Sequence, residues 1–270
     1  MTLSPKDASA LLAAHGLRPR KALGQHFVVD PNTVRRIARV AGVGPGDRVV
    51  EIGAGLGSLT LALLETGAEV TAVEVDPGLA EVLREVAPGA RIVEGDALSL
   101  DWAALLGDGP WGLVANLPYN VASPLVADLL DGVPAITRML VMVQREVADR
   151  LVAGPGDPAY GALSVKMAYW ATARLAGRVP ASVFLPPPNV ASELVQIERR
   201  PAPAVDVPPD ELFPLVRAGF AGRRKMLRRS LAGRASTEAF GCAGVRPEAR
   251  AEDLGVEAWG RLARCVRSPS

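Results

Sequence analysis

The chain has 270 residues, 49% of them hydrophobic and 22% charged, a globular balance that suits one large domain or a domain of about 200 residues beside a smaller one. A formal net charge of +1 excludes any global-charge argument for a polyanion partner, so such a site must come from local clustering. No apolar run reaches the roughly 18 residues of a membrane span and the N-terminal residues lack a signal-peptide pattern, which sets aside membrane and secretory classes.

Residues 6–15 have the pattern of a short amphipathic helix, followed by a basic loop with Arg18, Arg20 and Lys21. Gly24-Gln25-His26-Phe27 then sets three side chains able to contact a ligand after a small residue. Asp30-Pro31 reads as a helix cap with proline at the first helical position, opening a helix to about residue 40. Residues 48–52 form the first expected strand, ending in Glu51-Ile52-Gly53-Ala54-Gly55-Leu56-Gly57, with a helix over 58–66. Strand, glycine-rich turn and helix make the first half of a nucleotide-binding unit: glycines admit close backbone approach, and the helix N-terminus carries partial positive charge. The next strand, 70–75, carries Glu74 near its end, 17 residues after Gly57, about where an acid meets ribose hydroxyls. The spacing departs from the dinucleotide pattern GxGxxG, because the third glycine comes one residue early and Ser58 follows. Glu-x-Gly-x-Gly-x-Gly is instead similar to the turn of class I S-adenosylmethionine-dependent methyltransferases.

A third strand over 91–96 ends in Asp96, which serves either as an acceptor for an adenine amine or as a cap for the turn at 97–100. The apolar run 111–115 is the fourth strand and delivers Asn116-Leu117-Pro118-Tyr119 to the sheet edge where ligands of open α/β sheets sit. Asn offers an acceptor and two donors. Proline biases Leu117 toward extended backbone, and Tyr119 offers a face for a base. The alternative for these four residues is a strand-to-helix turn with a capping Asn and a core Tyr. Strand five spans 139–143 and a helix follows to about 152. Gly154 to Pro158 is a loop signal, Tyr160-Gly161 opens a helix to about 168, and 171–179 is the sixth strand. Phe184-Leu185-Pro186-Pro187-Pro188-Asn189-Val190 is too proline-rich for a central ladder and is expected as a rigid surface loop holding Phe184 near the site. Residues 193–198 form the seventh strand.

Composition changes at Arg200, and the Pro/Ala run to Pro209 reads as a linker to helices over 211–220 and 223–231 and weaker ones beyond. Between Arg217 and Arg234 lie seven basic residues and no acid: Arg217, Arg223, Arg224, Lys225, Arg228, Arg229 and Arg234. Like charges at helical neighbours repel, and the cluster points to phosphate. Cys242 and Cys265 have no CxxC spacing and read as free thiols of a reducing cytoplasm. No metal site is expected.

These motifs in this order resemble the ribosomal RNA adenine dimethyltransferases of the KsgA (RsmA) type. The matches include Gly24-Gln25-His26-Phe27, the Glu51–Gly57 turn, Glu74-Val75-Asp76, Gly95-Asp96-Ala97 and Asn116-Leu117-Pro118-Tyr119. They continue with Gln144-Arg145-Glu146-Val147-Ala148, Tyr160-Gly161, the Phe184 segment and Phe220-Ala221-Gly222-Arg223-Arg224-Lys225. The resemblance implies an α/β class I methyltransferase fold, with a Rossmann-like seven-stranded sheet in a catalytic domain over 1–200 and a small all-helical RNA-binding domain over 201–270. It implies S-adenosylmethionine as cofactor and dimethylation of the exocyclic amines of two adjacent adenosines in the 3′-terminal hairpin loop of 16S rRNA. The partner would be a small-subunit assembly intermediate, met by a cytoplasmic monomer with no membrane role. By the same resemblance Gln25, His26, Phe27, Gly53, Gly55, Gly57, Glu74, Asp96, Ala97 and Asn116 line the cofactor. Asn116 and the Leu117 carbonyl hold the amine, Pro118 shapes the backbone, and Tyr119 and Phe184 stack on the base. Arg223, Arg224, Lys225 and Arg228 contact RNA. Asn189, where relatives commonly have Lys, and Arg229, where many have Asn, depart from the pattern. The alternatives are an erythromycin-resistance-type methyltransferase of large-subunit rRNA, an assembly factor acting chiefly by RNA binding, and, more distantly, a nicotinamide dehydrogenase.

Overall fold

The computed structural model describes residues 2–20, 23–119 and 121–267; Lys21 of the basic loop lies outside them. The elements are α1 (Pro5–Ala14), β1 (Phe27–Val28), α2 (Pro31–Ala41), β2 (Arg48–Ile52), α3 (Ser58–Leu64), β3 (Glu69–Glu74) and α4 (Pro77–Val86). Next come β4 (Arg91–Glu94), α5 (Trp102–Leu106), β5 (Trp111–Asn116), α6 (Ala122–Gly132), β6 (Ile136–Gln144) and α7 (Arg145–Val152). The chain continues with α8 (Ala162–Trp170), β7 (Ala171–Val179), β8 (Phe184–Leu185) and β9 (Ser192–Arg199). It ends with α9 (Pro209–Ala221), α10 (Leu227–Ser230), α11 (Thr237–Ala243) and α12 (Val256–Arg267).

Seven strands make one sheet in the order β4-β3-β2-β5-β6-β9-β7. The first five are parallel, and β9 runs antiparallel to β6 from Arg138↔Glu198 to Gln144↔Ser192. Parallel strands covered on both faces read as continuous apolar runs, and β5 is buried at every residue before Asn116. From β2 the chain passes to β3 on one side and reaches β5 on the other. That reversal opens a crevice beyond the carboxyl ends of β2 and β5. Asp30 and Asp76 cap α2 and α4, each with proline in the first turn. The Phe184 segment differs from the expected free loop: Phe184 and Leu185 form a short ladder with Val28 and Phe27.

The chain divides into two compact units, Met1–Ala148 with Arg174–Arg199, and Asp149–Ala173 with Arg200–Ser270. An expected single cut at residue 200 leaves out the second excursion, Asp149–Ala173. Its Tyr160, Val165 and Tyr169 share one apolar cluster with Leu212, Phe240 and Trp259. Tyr160 Oη donates to the Leu254 carbonyl at 2.8 Å and Tyr169 Oη to the Val207 carbonyl at 2.9 Å, so buried hydroxyls are satisfied across the unit. The segment expected as a linker is also tied down: Val205 and Val207 are buried, and the Ala204 N–H donates to the Tyr169 carbonyl at 2.9 Å.

The two cysteines correct the expectation of free thiols: Cys242 and Cys265 form a disulfide with Cα atoms 6.0 Å apart. Helices α11 and α12 pack together and bring residues 23 apart in sequence into bonding reach. That pairing is tertiary and has no spacing signature. Among the described residues no helix is long and apolar enough to cross a membrane.

Candidate active site

The turn after β2 is shaped by glycines. Gly53, Gly55 and Gly57 have φ of 73°, 60° and 87°, where a side chain is strained. Space forbids one at Gly55, where a Cβ would lie 2.8 Å from the Phe27 ring, whereas one on Gly53 would meet the Asn116 carbonyl oxygen at an ordinary contact distance of 3.6 Å. Phe27 therefore closes on the turn, and the turn abuts the end of β5. Glu74, buried at the end of β3, accepts from the Gly55 N–H at 2.8 Å through Oε2 and from the Asp76 N–H at 3.0 Å through Oε1. Burial raises its carboxyl above the ordinary range, against those backbone bonds and with the Asp76 charge adding to the rise.

At the end of β5, Asn116 Nδ2 donates to the His26 carbonyl at 2.8 Å. That commits the amide's donor side and orients Oδ1 as an acceptor with no partner among the described residues. The Leu117 N–H donates to the Met142 carbonyl at 3.1 Å, while the Leu117 carbonyl receives no hydrogen bond among the described residues. Two acceptors are thus left open side by side. The alternative of a capping Asn is set aside by geometry, since α6 begins six residues later with no side-chain cap. Tyr119 is half-buried and its hydroxyl shares a 3.0 Å hydrogen bond with Ser192 Oγ. One face of the ring meets His26, centroids 5.5 Å apart at 27°. His26 Nδ1 lies 2.8 Å from the Pro186 carbonyl. A carbonyl only accepts, so Nδ1 carries the hydrogen and, in the neutral ring, Nε2 is an acceptor.

Gln25, His26, Phe27, Gly53, Gly55, Glu74 and the stretch Asn116 to Tyr119 line one cavity. Asp96 and Ala97 line a second, which shares Leu23, Gly53, Val75 and Pro118 with the first, making one continuous cleft. Asp96 Oδ1 accepts from the Leu98 N–H at 3.0 Å, so the turn-capping reading holds for one of its oxygens. Gly57 lines neither cavity; it is the residue that caps the N-terminus of α3. The cleft can hold a cofactor with a purine at one end and a cation at the other. Ser58 Oγ is buried without a partner, and two buried carboxylates, Glu51 and Glu74, flank the glycine turn. Two carboxyl groups, with no lysine or arginine among the described lining residues, offer nothing to a diphosphate, and a carboxyl can ionise against a sulfonium, which disfavours the dehydrogenase alternative.

Phe184 is not brought to this cleft. Its ring is 4% exposed and packs with Val28, Val34 and Ile37, because the β1–β8 ladder turns it into the core. The expected stacking role does not follow from this position. Arg223, Arg224, Lys225 and Arg228 are exposed in the second unit. Arg223 pairs with Glu252 at 2.8 Å and Arg228 with Glu248 at 3.6 Å, whereas Arg224, Lys225 and Arg229 have no carboxylate partner among the described residues. Sequence reasoning passed over Glu51, Ser58 and Ser192. The first two were in plain sight within the glycine motif; Ser192 is found only through its tertiary contact with Tyr119.

The family model described as "Ribosomal RNA adenine dimethylase" matches residues 16–267. The chain is 50% identical over 274 residues to a "Ribosomal RNA small subunit methyltransferase A" of Thermobifida fusca, covering 97% of this chain and 95% of that one. It is 52% identical to the protein of the same name from Kineococcus radiotolerans, covering 97% and 90%. Among solved structures it is similar to the 23S rRNA methyltransferase ErmE, at TM-score 0.69 and 27% identity over 90% of this chain and 100% of the other. It also shares its fold with a dimethyladenosine transferase from Plasmodium falciparum, at TM-score 0.70 and 24% identity over 88% and 96%.

Proposed function

The chain belongs to the ribosomal RNA adenine dimethylase family, and from that premise we propose that it dimethylates the exocyclic amines of two adjacent adenosines in 16S rRNA during small-subunit assembly. S-adenosylmethionine, held along the cleft from Asp96 to Gln25, supplies the methyl group from its sulfonium. Glu74 takes the ribose and Asp96 the adenine of that cofactor. Arg224 and Lys225 offer unpaired charge to RNA phosphates. A cytoplasmic setting follows from the substrate.

The observation that carries the chemistry is the pair of open acceptors, Asn116 Oδ1 and the Leu117 carbonyl, beside the free face of Tyr119. An adenine amine is a poor nucleophile because its lone pair is delocalised into the ring. Two acceptors draw its hydrogens out of the ring plane and free that lone pair. Tyr119 carries the base, and its Ser192 bond and His26 contact fix the ring's tilt. The alkylated nitrogen is acidic and sheds its proton afterwards, so no general base is required. Positioning and electrostatic preorganisation supply the rate. A base in a hairpin loop is already partly unstacked, which lowers the cost of extraction.

The test is methylation of purified small and large subunits with labelled cofactor, followed by primer-extension mapping on both rRNAs. Stops at two adjacent adenosines near the 3′ end of 16S rRNA are expected. Modification of a single large-subunit adenine would instead assign the activity named for ErmE. Binding of small subunits without methyl transfer would leave an assembly factor.

A further inference from the structure

Glu51 is the penultimate residue of β2, just before the glycine turn, and lines the cleft. Its side chain is 1% exposed, and its one donor among the described residues is Thr60 Oγ1, 2.6 Å from Oε2. Oε1 has no partner among them. From α3 it meets the Thr60 hydroxyl, and Ser58, whose buried Oγ has no partner among the described residues, lines the same cavity. From β3 it faces Glu74. The remaining titratable groups on the cavity wall are His26, ahead of β1, and Tyr119, after β5. Among the described residues no lysine or arginine lines this cavity. Desolvation pushes the Glu51 carboxyl up to about 8; the Thr60 bond opposes the rise and the Glu74 charge adds to it. In the open cleft at neutral pH, Glu51 is therefore chiefly a neutral acid.

The proposed cofactor reverses that balance. Asp96, which would hold the adenine, lines one cavity, whereas Glu51 and Ser58 line the other together with Asn116; a cofactor bound across both would carry its sulfonium and its amino-acid group toward the half that Glu51 lines. An opposite charge within a few ångströms favours the ionised carboxyl. We propose that Glu51 is a proton-linked positioning residue, neutral in the open cleft and ionised against the bound cation, so that each cofactor molecule expels one proton. The carboxyl O–H bond breaks, its electron pair stays on oxygen, and the proton leaves to buffer. Cofactor affinity then rises with pH, about tenfold per unit below the Glu51 value, and levels off above it. The inference rests on the reading of the cleft as an S-adenosylmethionine site.

Isothermal titration calorimetry of the full chain with S-adenosylmethionine, in two buffers of different ionisation enthalpy, counts the protons. Close to one proton is expected at pH 7, fading to none above about pH 9, and fewer with S-adenosylhomocysteine, which lacks the sulfonium. Glu51→Gln should bind with no release and a pH-independent affinity between pH 6 and 8. Wild-type binding without proton release overturns the proposal. So does a Glu51→Gln variant that releases as many, or a release already gone by pH 7.5. If Glu51→Gln does not fold, the wild-type release profile decides alone. Failure of wild-type chain to bind the cofactor in either buffer would remove the cofactor-site reading itself.

Discussion

Asn116→Ala separates the two jobs that the structure gives this side chain. Nδ2 satisfies the His26 carbonyl at 2.8 Å, so its loss leaves a half-buried acceptor without a donor, at about 1–3 kcal/mol of stability. In the proposed reaction Oδ1 would accept from the target amine as charge develops in the transition state. Deleting one preorganised partner of that kind costs about 10²–10³ in kcat, or roughly 3–4 kcal/mol. Cofactor affinity should move only a few-fold, because the turn, Glu74 and Asp96 are untouched. Single-turnover methylation of small subunits at saturating cofactor reads the first effect, calorimetric binding the second, and thermal melting the third. If the variant lost cofactor binding yet kept its rate at saturation, the amine-holding role of Asn116 would be refuted.

Tyr119→Ala should weaken capture of the target base by about 1–3 kcal/mol, read as a raised KM for RNA. Tyr119→Phe, which loses only the 3.0 Å bond to Ser192, should cost about 0.5–1.5 kcal/mol of stability and keep most of the stacking. Gly55→Ala meets a left-handed backbone and a ring 2.8 Å from its Cβ; calorimetry should find cofactor binding weakened at least tenfold, by about 1–3 kcal/mol of overpacking. Arg224→Ala with Lys225→Ala should lower RNA affinity uniformly across sequences and reduce the slope of log affinity against log salt by about one per lost phosphate contact. Glu51 has a folded value of about 8 against an ordinary 4.5, so the folded state binds more protons than the unfolded state between those limits. Stability of the cofactor-free chain should fall as pH rises through that window, and Glu51→Gln should recover on the order of a few kcal/mol at pH 8 and flatten the melting profile.

The parallel part of the sheet was legible where its strands are short, doubly buried runs, as in β2 and β5, and 48–52 coincides with β2; 171–179 coincides with β7, an edge strand that is mostly not buried. The glycine turn was legible because left-handed backbone demands glycine. Helix α4 carries the same Asp-Pro opening as α2 and was available to be read. What stayed hidden is pairwise. The inward turn of Phe184 depends on a partner strand at Phe27–Val28, and the disulfide on the packing of α11 against α12. Proline and alanine made 201–209 resemble a linker, yet Val205 and Val207 put alternate side chains into the apolar cluster of the second unit. The donor side of Asn116 was likewise invisible, since its partner lies 90 residues away.

That long span sets a timetable for synthesis. His26 is made early, but its carbonyl waits for Asn116 and its ring nitrogen for Pro186, 160 residues later. Tyr119 waits for Ser192, 73 residues on. A nascent chain shorter than 192 residues therefore holds the glycine turn, both acceptors and the aromatic ring without the Ser192 bond that fixes the Tyr119 hydroxyl, and one shorter than 186 also lacks the carbonyl that holds the His26 ring. Competence to methylate arrives when the last sheet strand emerges, not when the residues that perform the chemistry have been translated.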